Sequence, residues 1–83
     1  MKSEKMNEKI PNKNAILWTK KNVQFRVREF CKNPSADNYS GLEFSMLVYQ
    51  ECVKTGASIG MAQMSAETFI RRRNTHAVIG LLA

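Results

Sequence analysis

Apolar residues recur at two different periods along this chain. From residue 59 onward, Ile59, Ala62, Ala66, Phe69 and Ile70 stand three and four apart, the spacing of one buried helical face. Just before them, Gly56 accepts the left-handed conformation that ends a helix, and Ser58 is a good N-cap for the next. Residues 56–73 therefore predict a corner between two helices. The second helix runs to Arg71, Arg72 and Arg73, whose charge suits the negative end of the aligned peptide dipoles. Upstream, residues 41–55 predict the first helix, with Ser40 as N-cap and Leu42, Met46, Tyr49 and Val53 on one stripe. Leu47 and Cys52 lie beside that stripe, and Met46, Met61 and Met64 read as gap-filling core.

Residues 23–30, VQFRVREF, carry the other period. Val23, Phe25 and Val27 alternate with Gln24, Arg26 and Arg28, and the β-branched and aromatic content predicts a short strand. A period of 3.6 would instead place Val23, Val27 and Phe30 on one helix face and leave Phe25 off it. The alternation is the better match. A lone strand leaves its edge groups unpaired, so it needs the same strand of a second subunit or the apolar C-terminal run. Residues 31–40, CKNPSADNYS, have the chemistry of a loop. Trp18, the one tryptophan, reads as a core anchor within residues 15–22. Residues 1–14 are polar and rich in Lys and Asn, and predict a disordered basic arm. Residues 15–83 then form a single small helical domain. Its tail, AVIGLLA, reads as cover for the core or for a subunit interface. A core of this size is marginal alone, so a homodimer is expected. The expected architecture is mainly α, with one short strand followed by two or three helices.

Charge narrows the choice of partner. Thirteen Lys and Arg against seven Asp and Glu give a formal charge of +6 and a pI near 9.7, which favours an anionic partner. The longest apolar run, residues 77–83, is too short to span a bilayer, and no apolar stretch follows the charged N-terminus. A cytoplasmic protein without a membrane partner is expected. Cys31 and Cys52 form no CxxC, and His76 is the one histidine, so a disulfide framework and a four-ligand zinc site are both excluded. The two cysteines read as part-buried thiols. There is no Gly-rich phosphate loop and no HExxH. The expectation is a protein that is not an enzyme and has no cofactor and no small-molecule substrate.

The order of alternating strand, helix, Gly-x-Ser corner and helix over residues 23–73 resembles the ribbon-helix-helix family of DNA-binding proteins. That resemblance implies a dimer whose paired strands lie in the major groove of double-stranded DNA. Gln24, Arg26 and Arg28 would read base edges, since Arg can bond guanine in pairs and Gln can bond adenine. The N-terminus of the last helix, at Ser58 and Ile59, would hold a phosphate. A second stretch, residues 64–72 (MSAETFIRR), is similar to the turn and recognition-helix start of the helix-turn-helix family, with Ser65 as N-cap. It would bring Ala66, Glu67, Thr68, Arg71 and Arg72 to the groove. Either resemblance implies a sequence-specific DNA-binding protein, a small transcriptional repressor or an accessory factor that marks a DNA site. The reading from a different class is a small basic protein–protein interaction module, an inhibitor or adaptor. It would dock on an acidic partner through the same arginines, methionines and apolar tail.

Overall fold

The computed structural model describes residues 12–82, and all regular structure among them is helical. Three helices follow one another: α1 (Lys13–Lys32), α2 (Ala36–Thr55) and α3 (Ile59–Leu82). The reading of residues 1–11 as an arm lies outside the described residues, whereas Lys13 and Asn14 belong to α1.

No strand occurs among the described residues, and the ribbon-helix-helix architecture is overturned. Residues 23–30 are the second half of α1. Asn12 caps that helix, its Oδ1 accepting from the Ala15 N–H at 3.0 Å. Between this cap and Pro34 there is no Gly or Pro to stop a helix. A helix bonds its own backbone groups, while an unpaired strand would leave a row of them open. The β-like alternation of VQFRV was too short to outweigh that.

The loop expected over residues 31–40 shrinks to Asn33, Pro34 and Ser35. Proline disfavours helical backbone at the residue before it, and Asn33 ends α1 at φ −145° and ψ 87°. Ser35, not Ser40, is the N-cap of α2; its Oγ accepts from the Asn38 N–H at 3.1 Å. Asn38 also closes the turn, its Nδ2 donating to the Asn33 carbonyl at 2.7 Å and the Glu29 carbonyl at 3.4 Å. Phe30 and Tyr39 pack across the same turn with ring centroids 6.0 Å apart.

The corner between α2 and α3 is as the sequence predicts. Gly56 has φ 71° and ψ 19°, and its N–H donates to the Cys52 carbonyl at 3.0 Å. Ser58 caps α3, its Oγ accepting from the Met61 N–H at 3.3 Å.

Packing is sequential: α1 lies against α2, and α2 against α3. The Cα trace spans 54 × 36 × 14 Å, so the helices lie side by side nearly in one layer. The core is correspondingly thin. Ala15, Val48, Cys52, Ala62 and Ala66 are its buried apolar members, with Ile16, Phe44, Leu47, Ala57 and Ile59 half-buried against them. Two hydroxyls are buried at the seams and bond to their own helices. Thr19 Oγ1 donates to the Ala15 carbonyl at 2.7 Å, and Ser45 Oγ to the Leu42 carbonyl at 2.7 Å.

Small residues let the backbones approach, and large ones are left outside. On α2 the buried line is Ser45, Val48 and Cys52, not the expected stripe, of which Met46 and Val53 are exposed. Trp18 is 65% exposed rather than an anchor, and Met61 and Met64 are exposed rather than core. Ala62 and Ala66 are buried as the periodicity predicts, but Phe69 on the same face is 51% exposed. From Arg71 to Leu81 every residue of α3 is exposed, so the apolar tail, expected to cover the core or a subunit interface, does not cover the core.

The cysteines are unlike each other: Cys31 is exposed and Cys52 is fully buried. Burial pushes the Cys52 thiol above its ordinary value of 9.0, against the smaller opposing effect of the neighbouring Thr19 hydroxyl. A thiol-specific chromogenic reagent is expected to titrate Cys31 alone in the native protein and both thiols after unfolding. A folded-state value above the unfolded one also means that stability is fully present below pH 9.0 and declines as pH rises past it.

Candidate nucleic-acid interface

The cations of the described chain are concentrated on α1. That helix carries Lys13, Lys20, Lys21, Arg26, Arg28 and Lys32 against a single carboxylate, Glu29. On α2 the balance is reversed, with Asp37, Glu43 and Glu51 against Lys54.

The inward face of α1 is fixed by Ala15 and Thr19, both buried, and by Asn22, Val23, Arg26, Glu29 and Phe30, all half-buried. These positions are three and four apart and meet α2. The opposite face carries Leu17, Lys21, Gln24, Arg28 and Cys31, again three and four apart and all exposed. Lys20 and Val27 flank it on one side, and Trp18, Phe25 and Lys32 on the other. Trp18 and Phe25 are two turns apart, with Lys21 between them; Lys21 and Asn22 border a shallow depression beside Trp18. Lys32 is 3.7 Å from Glu29 in an exposed ion pair of little energetic weight. Among the described residues Arg28 has no ion-pair partner.

The residues expected to bind DNA are not gathered into one patch. Gln24 and Arg28 share the outward face of α1, which a helix achieves at a spacing of four just as a strand does at two. Arg26 does not join them. It folds inward across α2 at Gly41, where an added Cβ would stand 3.0 Å from the Arg26 Nη1 and 3.3 Å from its Cζ. Its Nε is buried there without a hydrogen-bond partner. Ser58 and Ile59 lie at the α2–α3 corner. Ser58 is occupied as the cap, and Ile59 is half-buried against the core. Arg71 and Arg72 are exposed on α3, a helix joined to α1 through α2. Arg73 is spent on structure: its guanidinium grips both carboxylate oxygens of Glu43 on α2, with Nη2 to Oε1 at 3.2 Å. That contact holds the Glu43 carboxyl below its usual range, so acid that protonates it loosens the clamp.

The helix-turn-helix expectation also changes. Residues 58–82 contain no turn at Met64–Ser65, because α3 is continuous from Ile59 to Leu82. The signal missed at sequence level was the six-cation content of residues 13–32, which becomes a face only when the whole stretch is helical.

Among the described residues no three His, Cys, Asp or Glu side chains stand close enough to hold a metal ion, and no helix is long and apolar enough to cross a membrane. Comparison with protein-family models, with curated proteins and with solved structures finds no match to this chain.

Proposed function

We propose that this protein binds double-stranded DNA by laying the outward face of α1 in the major groove. The observation that carries this reading is the concentration of cations on α1, opposite the side packed on α2. The major groove, about 12 Å wide, admits an α-helix. Lys20, Lys21 and Lys32 are placed along the helix to meet phosphates on the groove walls, which gives affinity without sequence choice. Gln24 and Arg28, one turn apart at the centre, have the side chains that pair with adenine and guanine edges. Leu17 and Phe25 supply apolar contacts of the kind that fit thymine methyl groups. A groove binder of this kind acts by occupying its site, which fits a small repressor or an accessory factor that marks DNA for other machinery.

The test is fluorescence anisotropy with a labelled random duplex, titrated at several salt concentrations. Affinity is expected to fall linearly with salt on logarithmic axes as counterions are released. Arg28→Ala is expected to weaken binding several-fold more than Arg26→Ala, because Arg26 is turned toward α2. Absence of binding by the wild type at low salt would remove the proposal. An Arg26→Ala loss as large as that of Arg28→Ala would remove α1's outward face as the site.

A further inference from the structure

We infer that one broad face of the helical layer, formed by α1 and α2 side by side, is an interface with a second copy of this chain. The inference is independent of the DNA reading, which concerns the outer edge of α1.

The first observation is an apolar stripe that the fold leaves open. Tyr39, Leu42, Met46, Tyr49 and Val53 stand three and four apart along α2. At about 100° per residue, all five lie within about 40° of one direction, so one flat partner can meet them all. The buried line of Ser45, Val48 and Cys52 points about 100° away from that direction. Tyr39, Met46 and Val53 are between 43% and 54% exposed, and Leu42 and Tyr49 are half-buried. This is the pattern of a core stripe, yet α2 spends a different line of residues on its neighbours.

The second observation is that α1 continues the same face. The packing of Phe30 on Tyr39 puts these two flanks on one side of the layer. Val27 and Val23 stand one and two turns before Phe30 on its flank. Val27 is exposed and Val23 half-buried. No described helix lies over this surface, because α3 packs beside α2 in the same layer. Two stripes written for a core thus lie next to each other, and the single chain does not bury them.

Architecture, area and charge point to a second copy as the occupant. Stable domains bury an apolar face against a second layer, and the described chain is one layer. Its buried apolar core is five residues, three of them alanine, with no disulfide among the described residues to support it. Chains this small gain the missing stability by oligomerising. The layer measures 54 × 36 Å, so a copy laid on this face can cover the about 800 Å² that each partner of a standard interface contributes. Charge narrows the choice further. The chain carries +6, so two copies repel unless they meet where cations are few. The outer edge of α1 carries Lys21 and Arg28, and α3 carries Arg71 and Arg72, all exposed. The α2 stripe carries no charge, and the α1 flank from residue 20 to 30 carries only Lys20, at its rim. An acidic partner would find no cation inside this face to pair with, whereas a copy of the face meets it apolar against apolar. A two-fold axis makes the contact isologous and leaves the outer edge of α1 open on both copies.

Sedimentation equilibrium of the full chain tests this. The wild type is expected to sediment at twice the 9.5 kDa chain mass, with a melting temperature that rises with protein concentration. Met46→Glu is expected to weaken self-association by about a hundredfold or more, because each copy then brings an unpaired carboxylate into the contact. Val27→Glu reads the same face from the other helix and is expected to act in the same direction. Trp18→Glu is the control: Trp18 is exposed on the opposite flank of α1, and this variant is expected to associate within about threefold of wild type. Circular dichroism checks that helix content is kept, as substitution at exposed positions should allow. A monomeric wild type would overturn the inference and give the face to a different protein. A dimer indifferent to both Met46→Glu and Val27→Glu, or a loss in Trp18→Glu as large as theirs, would overturn it as well.

Discussion

Ala62→Leu is expected to loosen α3 from α2 and to lower the melting temperature by about 10 °C or more. Ala62 is fully buried at the point where the two helices approach, beside the equally buried Cys52. Three added carbons have no space there, and overpacking of this kind costs about 1–3 kcal/mol. In a chain of this size a single core supplies only about 3–5 kcal/mol, so the substitution removes a large part of the total. The control lies one residue away. Gln63 is exposed, and Gln63→Leu is expected to change stability by less than about 0.5 kcal/mol. Urea unfolding followed by circular dichroism distinguishes the two. Equal midpoints for Ala62→Leu and wild type would mean that α3 does not meet α2 through Ala62.

The largest functional effect is expected from reversing charge on the outward face of α1. Lys21→Glu with Arg28→Glu removes two cations and puts one carboxylate where a phosphate would lie and another where a base edge would lie. Loss of the Lys21 phosphate contact lowers affinity by about eightfold at 0.1 M salt, loss of the Arg28 base contact costs about a further 1–3 kcal/mol, and repulsion takes the total loss beyond about a hundredfold. The slope of log affinity against log salt is expected to become shallower by about 1, the share of the Lys21 phosphate contact. Both side chains are exposed and neither forms an ion pair among the described residues, so the helix content should be retained. Affinity within threefold of wild type would exclude α1 as the DNA-binding face.

The elements whose stops and starts are written in local chemistry were legible from sequence. Gly56, with its left-handed backbone, and Ser58, with its capping hydroxyl, mark the α2–α3 corner by themselves. Ala62 and Ala66 also followed from spacing alone. What failed were judgements that depend on neighbours. VQFRVREF satisfies both periods, and its state is decided by the uninterrupted run from the Asn12 cap to Pro34. The core stripe of α2 was assigned to its larger side chains, whereas close packing of helices in a thin layer selected Ser45, Val48 and Cys52. The proposed DNA face was half legible. Gln24 and Arg28 share a side under either period, but Arg26 changes sides when the period changes from two to 3.6. Its burial over Gly41 depends on a contact fifteen residues away, which no local pattern encodes.

Each helix packs mainly on its neighbour in the chain, and that arrangement governs how the molecule assembles. Both connections are three residues long, so each closure is short and the entropy lost before contacts form is small. Such local topologies lie at the fast end of folding, in microseconds to milliseconds. They also divide stability unevenly. The middle helix takes part in both seams, while each outer helix depends on one, as in a short array with nearest-neighbour coupling. Partial opening of α1 or α3 therefore leaves a helical hairpin behind, and opening of α2 removes both main seams at once.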